Sequence, residues 1–196
     1  LNTIDGKTTI AVTATAATSL TGSSSDLVVA TGSPGISLSG SYGVTVSDAL
    51  SGSTGVTTLN TLDGRTTGVI SASVGGTVAQ LKTLTGTGNA YTLTVSDATV
   101  AASDLNTLDS KTTAMVGATA ATALTGAAAE LIAATESSGI SLSSSYGAVV
   151  SDAQSGSAGV SALNTLDSRT TGVVTATVDG TVAQILNLTG TGNAYT

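Results

Sequence analysis

Seven aspartates recur at fixed places in this sequence, and any chemistry would begin with them. Asp5, Asp63, Asp109 and Asp167 close the motif Leu-Asn-Thr-[Ile/Leu]-Asp, while Asp48, Asp97 and Asp152 close the motif Tyr-x-x-x-Val-Ser-Asp. Gathered carboxylates bind calcium, which takes about six to eight oxygen ligands. Each segment of this chain offers only one or two carboxylates, and the Gly-Gly-x-Gly-x-Asp nonapeptide of calcium-binding β-helices is missing. The competing role is local, with the Asp side chain accepting from neighbouring backbone N–H groups to cap a helix or close a turn. Capping is therefore the expectation for all seven. Calcium is the one cofactor that enters as an alternative, and no catalytic, cofactor-binding or metal-ligating residue is assigned.

The rest of the inventory points away from an enzyme. With no His and no Cys, the chain lacks the commonest general base and the strongest side-chain nucleophile. Glu130 and Glu136 occur on one segment only, so a paired-carboxylate hydrolase would need a site that breaks the repeat. The stretches Gly86-Thr87-Gly88-Asn89 and Gly75-Gly76 lack the P-loop lysine and the dinucleotide fingerprint, and read as turns. Asn2, Asn60, Asn106 and Asn164 are followed at the third place by Ile or Leu rather than Ser or Thr, so they are not glycan acceptors. A buried Asn ladder satisfying turn backbone is expected of them. The one sequon, Asn187-Leu188-Thr189, has Thr83 as its counterpart and is not part of the repeat. Lys7, Arg65, Lys111 and Arg169 each follow an Asp by two residues, which points to an ion pair within or between segments. Tyr42, Tyr91, Tyr146 and Tyr195 are the only aromatics, each expected to cover one end of a thin core with its hydroxyl at the surface.

These residues are spaced by a tandem repeat. Residues 105–196 repeat residues 1–92 at an offset of 104 without a gap, with 63 of 92 aligned positions identical. The repeat divides the chain into copy one, 1–104, with halves 1–58 and 59–104, and a truncated copy two, 105–196, with halves 105–162 and 163–196. Both ends fall inside a motif, which sets the expectation that the array continues beyond them. Ser and Thr make up 65 residues, Gly adds 24, and Phe and Trp are absent. Such a core must be thin, which suits a stack of layers that each contact only the next. Five basic residues against twelve acidic ones give a net charge of −7, which argues against nucleic-acid binding. No apolar run reaches the roughly 20 residues of a membrane span. The lack of Cys leans toward the exterior of a bacterium, where large repeat proteins often dispense with it.

Periodicity then supplies the elements. Alternation over Tyr91-Thr92-Leu93-Thr94-Val95 reads as a strand with Leu93 and Val95 inward. Further strands are expected from Val69, Met115, Val173 and Tyr195 and at 148–151. Ala101, Leu105, Leu108 and Thr112 fall on one helical face, predicting a helix over 99–112 capped by Asp97 or Thr99. Shorter helical stripes lie at 76–84 and 127–134. A strand and a short helix about every 22–25 residues, with some segments longer, predict an elongated α/β repeat solenoid. An all-β parallel helix is the alternative, since Ser, Thr and Val are weak helix formers.

The phrases Val95-Ser-Asp-Ala-Thr-Val-Ala-Ala-Ser-Asp-Leu-Asn-Thr-Leu-Asp-Ser-Lys-Thr-Thr-Ala114 and Leu124-Thr-Gly-Ala-Ala-Ala-Glu-Leu131 resemble the long Thr/Ser/Ala-rich tandem-repeat surface or secreted proteins of cyanobacteria and other aquatic bacteria. The resemblance is one of repeat style and covers the whole chain. It implies an extracellular or cell-surface scaffold, filament or adhesin, partnered by copies of itself or further repeats. It supplies no functional residue. A second reading is a flat Thr/Ser-rich face that binds polysaccharide or ice. Its motif, Thr-x-Thr, occurs at Thr13-Ala14-Thr15 and Thr175-Ala176-Thr177. The 104-offset partners are Gly117-Ala118-Thr119 and Ser71-Ala72-Ser73, so the rank of threonines is not kept. Calcium-dependent stiffening is a third reading.

Overall fold

The computed structural model describes all of Leu1–Thr196. It is an α/β structure of eight helices and sixteen short strands, with parallel strand pairs and no closed barrel. Two compact units divide it: Leu1–Thr94 with Lys111–Met115, and Val95–Ser110 with Val116–Thr196.

In the first unit the order is α1 (Asn2–Asp5), β1 (Val12–Ala14), β2 (Ser19–Gly22), α2 (Ser24–Gly32), β3 (Ile36–Leu38), β4 (Gly43–Val46), β5 (Leu50–Ser51), α3 (Gly52–Asp63), β6 (Ile70–Gly76), α4 (Val78–Leu81) and β7 (Ala90–Val95, to Thr94 in this unit). Strands pair with their counterparts one segment on: Leu20 with Val44, Val44 with Ile70, and Val12 with Ile36. Because side chains alternate across a strand, this register stacks Leu20, Val44 and Ile70 on the buried face and turns Thr21, Thr45 and Ser71 outward. The helices cover the buried face with Leu27 and Ala30 from α2, Val56, Leu59 and Leu62 from α3, and Val78 and Leu81 from α4.

The second unit repeats this plan. Its order is β8 (Thr99–Ala101), α5 (Ala102–Lys111), β9 (Val116–Ala118), β10 (Ala123–Gly126), α6 (Ala128–Glu136), β11 (Ile140–Leu142), β12 (Gly147–Val150), β13 (Gln154–Ser155), α7 (Gly156–Asp167), β14 (Val174–Ala176), β15 (Val178–Asp179), α8 (Val182–Ile185) and β16 (Ala194–Tyr195). Val100, Leu124, Ala148 and Val174 stand in one register across β8, β10, β12 and β14, all buried. From β2 to α4, each element has its counterpart at the 104-residue offset, with β6 matched by β14 and β15 together.

Two expectations are corrected. The all-β alternative fails: α3 and α7 are twelve-residue helices of sequence GSTGVTTLNTLD and GSAGVSALNTLD. Burial of Val56, Leu59 and Leu62 overrides weak propensity, and Thr57, Thr58 and Thr61 donate their hydroxyls to the carbonyls four residues back. The helix expected over 99–112 starts late, at Ala102, because Thr99–Ala101 is strand β8 and Val100 pairs with Leu124. Neither Asp97 nor Thr99 is then at its start. The strands at Ile70, Ala90, Val116, Gly147, Val174 and Ala194 and the helices Val78–Leu81 and Ala128–Glu136 lie where alternation and helical spacing place them. Leu93 and Val95 face inward.

Close packing leaves no room at two equivalent turns. A Cβ at Gly68 would strike the carbonyl of Tyr42, and one at Gly172 the carbonyl of Tyr146. Both obstacles are backbone. Gly68→Ala and Gly172→Ala are each expected to cost about 1–3 kcal/mol of unfolding free energy by urea titration. Gly40→Ala, where a Cβ meets nothing within 4 Å, is expected to be near neutral.

Candidate functional site

The polar residues singled out by the sequence gather at the helix ends, where each helix leaves backbone groups without intrahelical partners. In α3, Asn60 Nδ2 donates to the Thr83 carbonyl at 2.9 Å, and its Oδ1 accepts from Thr85 N at 3.0 Å. In α7, Asn164 repeats both bonds with Asn187 O at 2.8 Å and Thr189 N at 3.0 Å. Asn2 holds the Asp26 carbonyl at 3.0 Å and Asn106 the Glu130 carbonyl at 3.1 Å. Every one of these bonds spans 23–25 residues, so each Asn clamps the main chain of the next segment. The expected Asn ladder is absent. The motifs recur 58 or 46 residues apart, about two segments, so their Asn side chains cannot meet.

Six of the seven recurring aspartates also act over similar distances. Asp48 Oδ1 accepts from Ser24 N at 2.6 Å and its Oδ2 from Ser24 Oγ at 2.7 Å, across 24 residues. Asp152 accepts from Ala128 N at 2.8 Å, also across 24. These two carboxylates therefore cap the N-terminal ends of α2 and α6 from the following segment, where negative charge is favoured. The serine hydroxyl bond, followed by the backbone bond, holds the Asp48 carboxyl below its usual range, and the Ala128 N–H does the same for Asp152. Asp5 and Asp109 each accept from a serine hydroxyl 28 residues on, Ser33 and Ser137, both at 2.8 Å. Asp63 accepts from Asn89 Nδ2 at 2.7 Å, and Asn89 Oδ1 accepts from Ile70 N at 2.8 Å. Asp167, Asn193 and Val174 repeat this relay.

The basic residues reach the other way. Arg65 Nη1 donates to the Val28 carbonyl at 2.6 Å and to Thr31 Oγ1 at 2.9 Å, in the last turns of α2. Arg169 does likewise at the end of α6, to Thr135 O at 3.5 Å and to Glu136 Oε1 at 2.8 Å. Lys111 Nζ donates to the Leu84 carbonyl at 2.7 Å. Arg169 with Glu136 is an ion pair between segments, one of the two placements that the spacing allowed. Arg65 and Arg169 both reach the carbonyls and negative dipole end of a preceding helix, α2 and α6.

The tyrosines also depart from expectation. Tyr42, Tyr91 and Tyr146 are buried, and the Tyr91 hydroxyl lies inside rather than at the surface. Tyr42 donates to Arg65 O at 3.1 Å and Tyr146 to Arg169 O at 3.3 Å, closing the C-terminal ends of α3 and α7. Tyr91 OH and Tyr195 OH are buried without a protein partner. Burial raises the pKa of all four, and Asp63 and Asp167 push Tyr91 and Tyr195 further up.

Three participants were not foreseen from the sequence. Asn89 was read within a turn and its counterpart Asn193 was not singled out, yet Asn89 is 3% exposed and links a carboxylate to a strand N–H. Thr66 is buried, donates to the Tyr42 carbonyl and accepts from Gly68 N. The available signal was the unchanged recurrence of Thr-Gly-Thr-Gly-Asn-Ala-Tyr and of Arg-Thr-Thr-Gly in both copies.

Chemically, this arrangement binds main chain. The carboxylates described here face hydroxyl, amide or backbone donors, and no group of three or more His, Cys, Asp or Glu side chains could hold a metal ion. A polar cleft of about 300 Å³ lies beside Asp63, Thr66, Gly86 and Asn89. No helix is long and apolar enough to cross a membrane. No protein-family model, curated protein or solved structure matches the chain.

Asn60→Ala leaves one carbonyl and one N–H of the next segment without this partner. A loss of about 0.5–1.5 kcal/mol is expected in denaturant unfolding, with Asn164→Ala similar in direction. Asp48 and Asp152 set a pH dependence. Because the folded values of these two lie below the ordinary 3.8, the stability they add is complete above that value and disappears as pH falls through the folded values. The melting temperature should therefore drop below about pH 4. The Asp48→Asn, Asp152→Asn double variant should melt lower than the parent at neutral pH and lose less on acidification.

Proposed function

We propose that this chain is a structural repeat region of an extracellular bacterial surface protein, filament or adhesin. It is an α/β solenoid that acts by stacking and carries no catalysis. The observation that carries the reading is the recurrence of Asn, Asp and Arg clamps, each reaching main chain or side chain of a neighbouring segment, in both copies of the repeat. A fold held by contacts between successive segments extends by adding segments. Its partners are then further repeats or copies of itself. The outward location follows from the Cys-free, Thr/Ser-rich composition and the resemblance in repeat style.

The hydroxyl-rich face supports the alternative of polysaccharide or ice binding in one unit only. Thr21, Thr45 and Ser71 stand in register there, whereas Ala101, Thr125, Val149, Thr175 and Ala194 occupy the corresponding row of the other. A row interrupted by Ala and Val matches an ordered hydroxyl lattice poorly, so the stacking reading is preferred.

Electron microscopy of chains carrying two, four and six copies of the 104-residue repeat tests the proposal. Rods that lengthen in proportion to copy number are expected. Rounded particles whose diameter grows only slowly with mass would overturn it.

A further inference from the structure

The same groove occurs twice in this chain, once filled and once open. In the second unit, β8 adds in parallel to the edge of β10, with Thr99, Val100 and Ala101 opposite Ala123, Leu124 and Thr125. The Ala98 carbonyl accepts from Thr122 N at 2.8 Å, from Ala123 N at 3.1 Å and from Thr122 Oγ1 at 3.1 Å. Ala102 sits over Gly126, 3.5 Å from where a Cβ there would lie, and is fully buried. In the first unit the equivalent strand β2 is a sheet edge. A cavity of about 320 Å³ lies where β8 would run, lined by Leu20, Gly22, Leu27 and Ala30 among others. At Gly22 a Cβ would meet only Leu27 and Asp26 of its own segment, at 3.8 and 4.0 Å. The Asn2 Oδ1 beside the cavity is buried without a partner.

Resting on the stacking reading above, we propose that this groove is an acceptor for one strand-and-helix phrase of the repeat itself. The occupant has the sequence of residues 93–104, LTVSDATVAASD, supplied by an adjoining repeat. In the second unit residues 98–102 of that phrase fill the equivalent groove. Its valine lies on Leu20 as Val100 lies on Leu124, and its second Ala-Ala residue covers Gly22 as Ala102 covers Gly126. Its carbonyl at the Ala98 place receives the N–H groups of Thr18 and Ser19. This is strand addition to an exposed edge, with main-chain bonds providing affinity and the apolar pocket providing selectivity.

The test adds the synthetic peptide LTVSDATVAASD to the full chain and follows backbone NMR shifts and the melting temperature. Saturable shifts confined to residues 1–5 and 17–30, with a raised melting temperature, are expected. The peptide carrying Val100→Asp should bind at least about tenfold more weakly, since a carboxylate replaces a buried branched side chain. A chain carrying Gly22→Leu, whose side chain has space in the open groove, should keep its melting temperature without peptide and lose the response to it. Absence of binding, equal binding of the Val100→Asp peptide, or full binding by a folded Gly22→Leu chain would each overturn the inference. Rods in the multi-copy series together with any of these results would leave the stacking reading standing, and peptide binding by particles that never form rods would remove that reading alone.

Discussion

The bond from an asparagine at one helix end to the main chain of the next segment is the contact on which the rest of the structure depends. A segment of about 24 residues, with a strand or two and a helix of four to twelve residues, is too small to bury a core of its own. It becomes ordered only against its neighbours. Asn60 and Asn164 supply both a donor and an acceptor to that neighbour, so a single side chain fixes distance and orientation together. With the segments so held, the parallel register places Val100, Leu124, Ala148 and Val174 directly over one another. Each layer then needs only one medium-sized side chain from the strand and one or two leucines from the helix, which is why Phe and Trp are dispensable.

Direction is built into the same contacts. Asn60 and Asp63 reach forward along the chain, to residues 83–89, while Asp48 reaches back to the start of α2 and Arg65 to its end. The carboxylate meets the positive end of the helix and the guanidinium the negative end. Reversing a segment would bring each charge against the wrong pole and strand both. A one-residue slip in a strand would turn Leu20, Val44 and Ile70 to solvent and bring Thr21, Thr45 and Ser71 inside. Polar ends and apolar faces thus demand one register, and they agree on it.

Much of this was legible from spacing alone. The 104-residue period, the inward Leu93 and Val95 and the short helix before Leu84 follow from patterns that local physics enforces. What escaped were pairings at about 24 residues, which no local rule encodes. A helical stripe through Ala101, Leu105 and Leu108 is real from Ala102 on, but Val100 is claimed by its partner Leu124 across the sheet, and the strand wins there. The helix at Gly52–Asp63 was hidden for the opposite reason: its sequence disfavours a helix, and only the burial of Val56, Leu59 and Leu62 makes one. The aspartates were expected to serve their own neighbours at helix starts and turns; what spacing did not reveal is that six of them also take donors a whole segment away.

The differences between the two copies show what the fold must keep. Val44 becomes Ala148, Ile70 becomes Val174 and Leu50 becomes Gln154, a buried residue whose Nε2 finds the Asp152 carbonyl at 3.1 Å. Core volume therefore varies by several methyl groups between equivalent layers. The clamping Asn60 and Asn164, Asp63 and Asp167, Arg65 and Arg169 do not vary in type. Ser24 becomes Ala128, which removes the hydroxyl that Asp48 holds, yet Asp152 still takes the N–H at the same place. A clamp aimed at main chain has a target that substitution cannot remove. Register can then be held by a few fixed polar residues while the apolar layers drift, and a repeat so constructed tolerates unequal copies in one array.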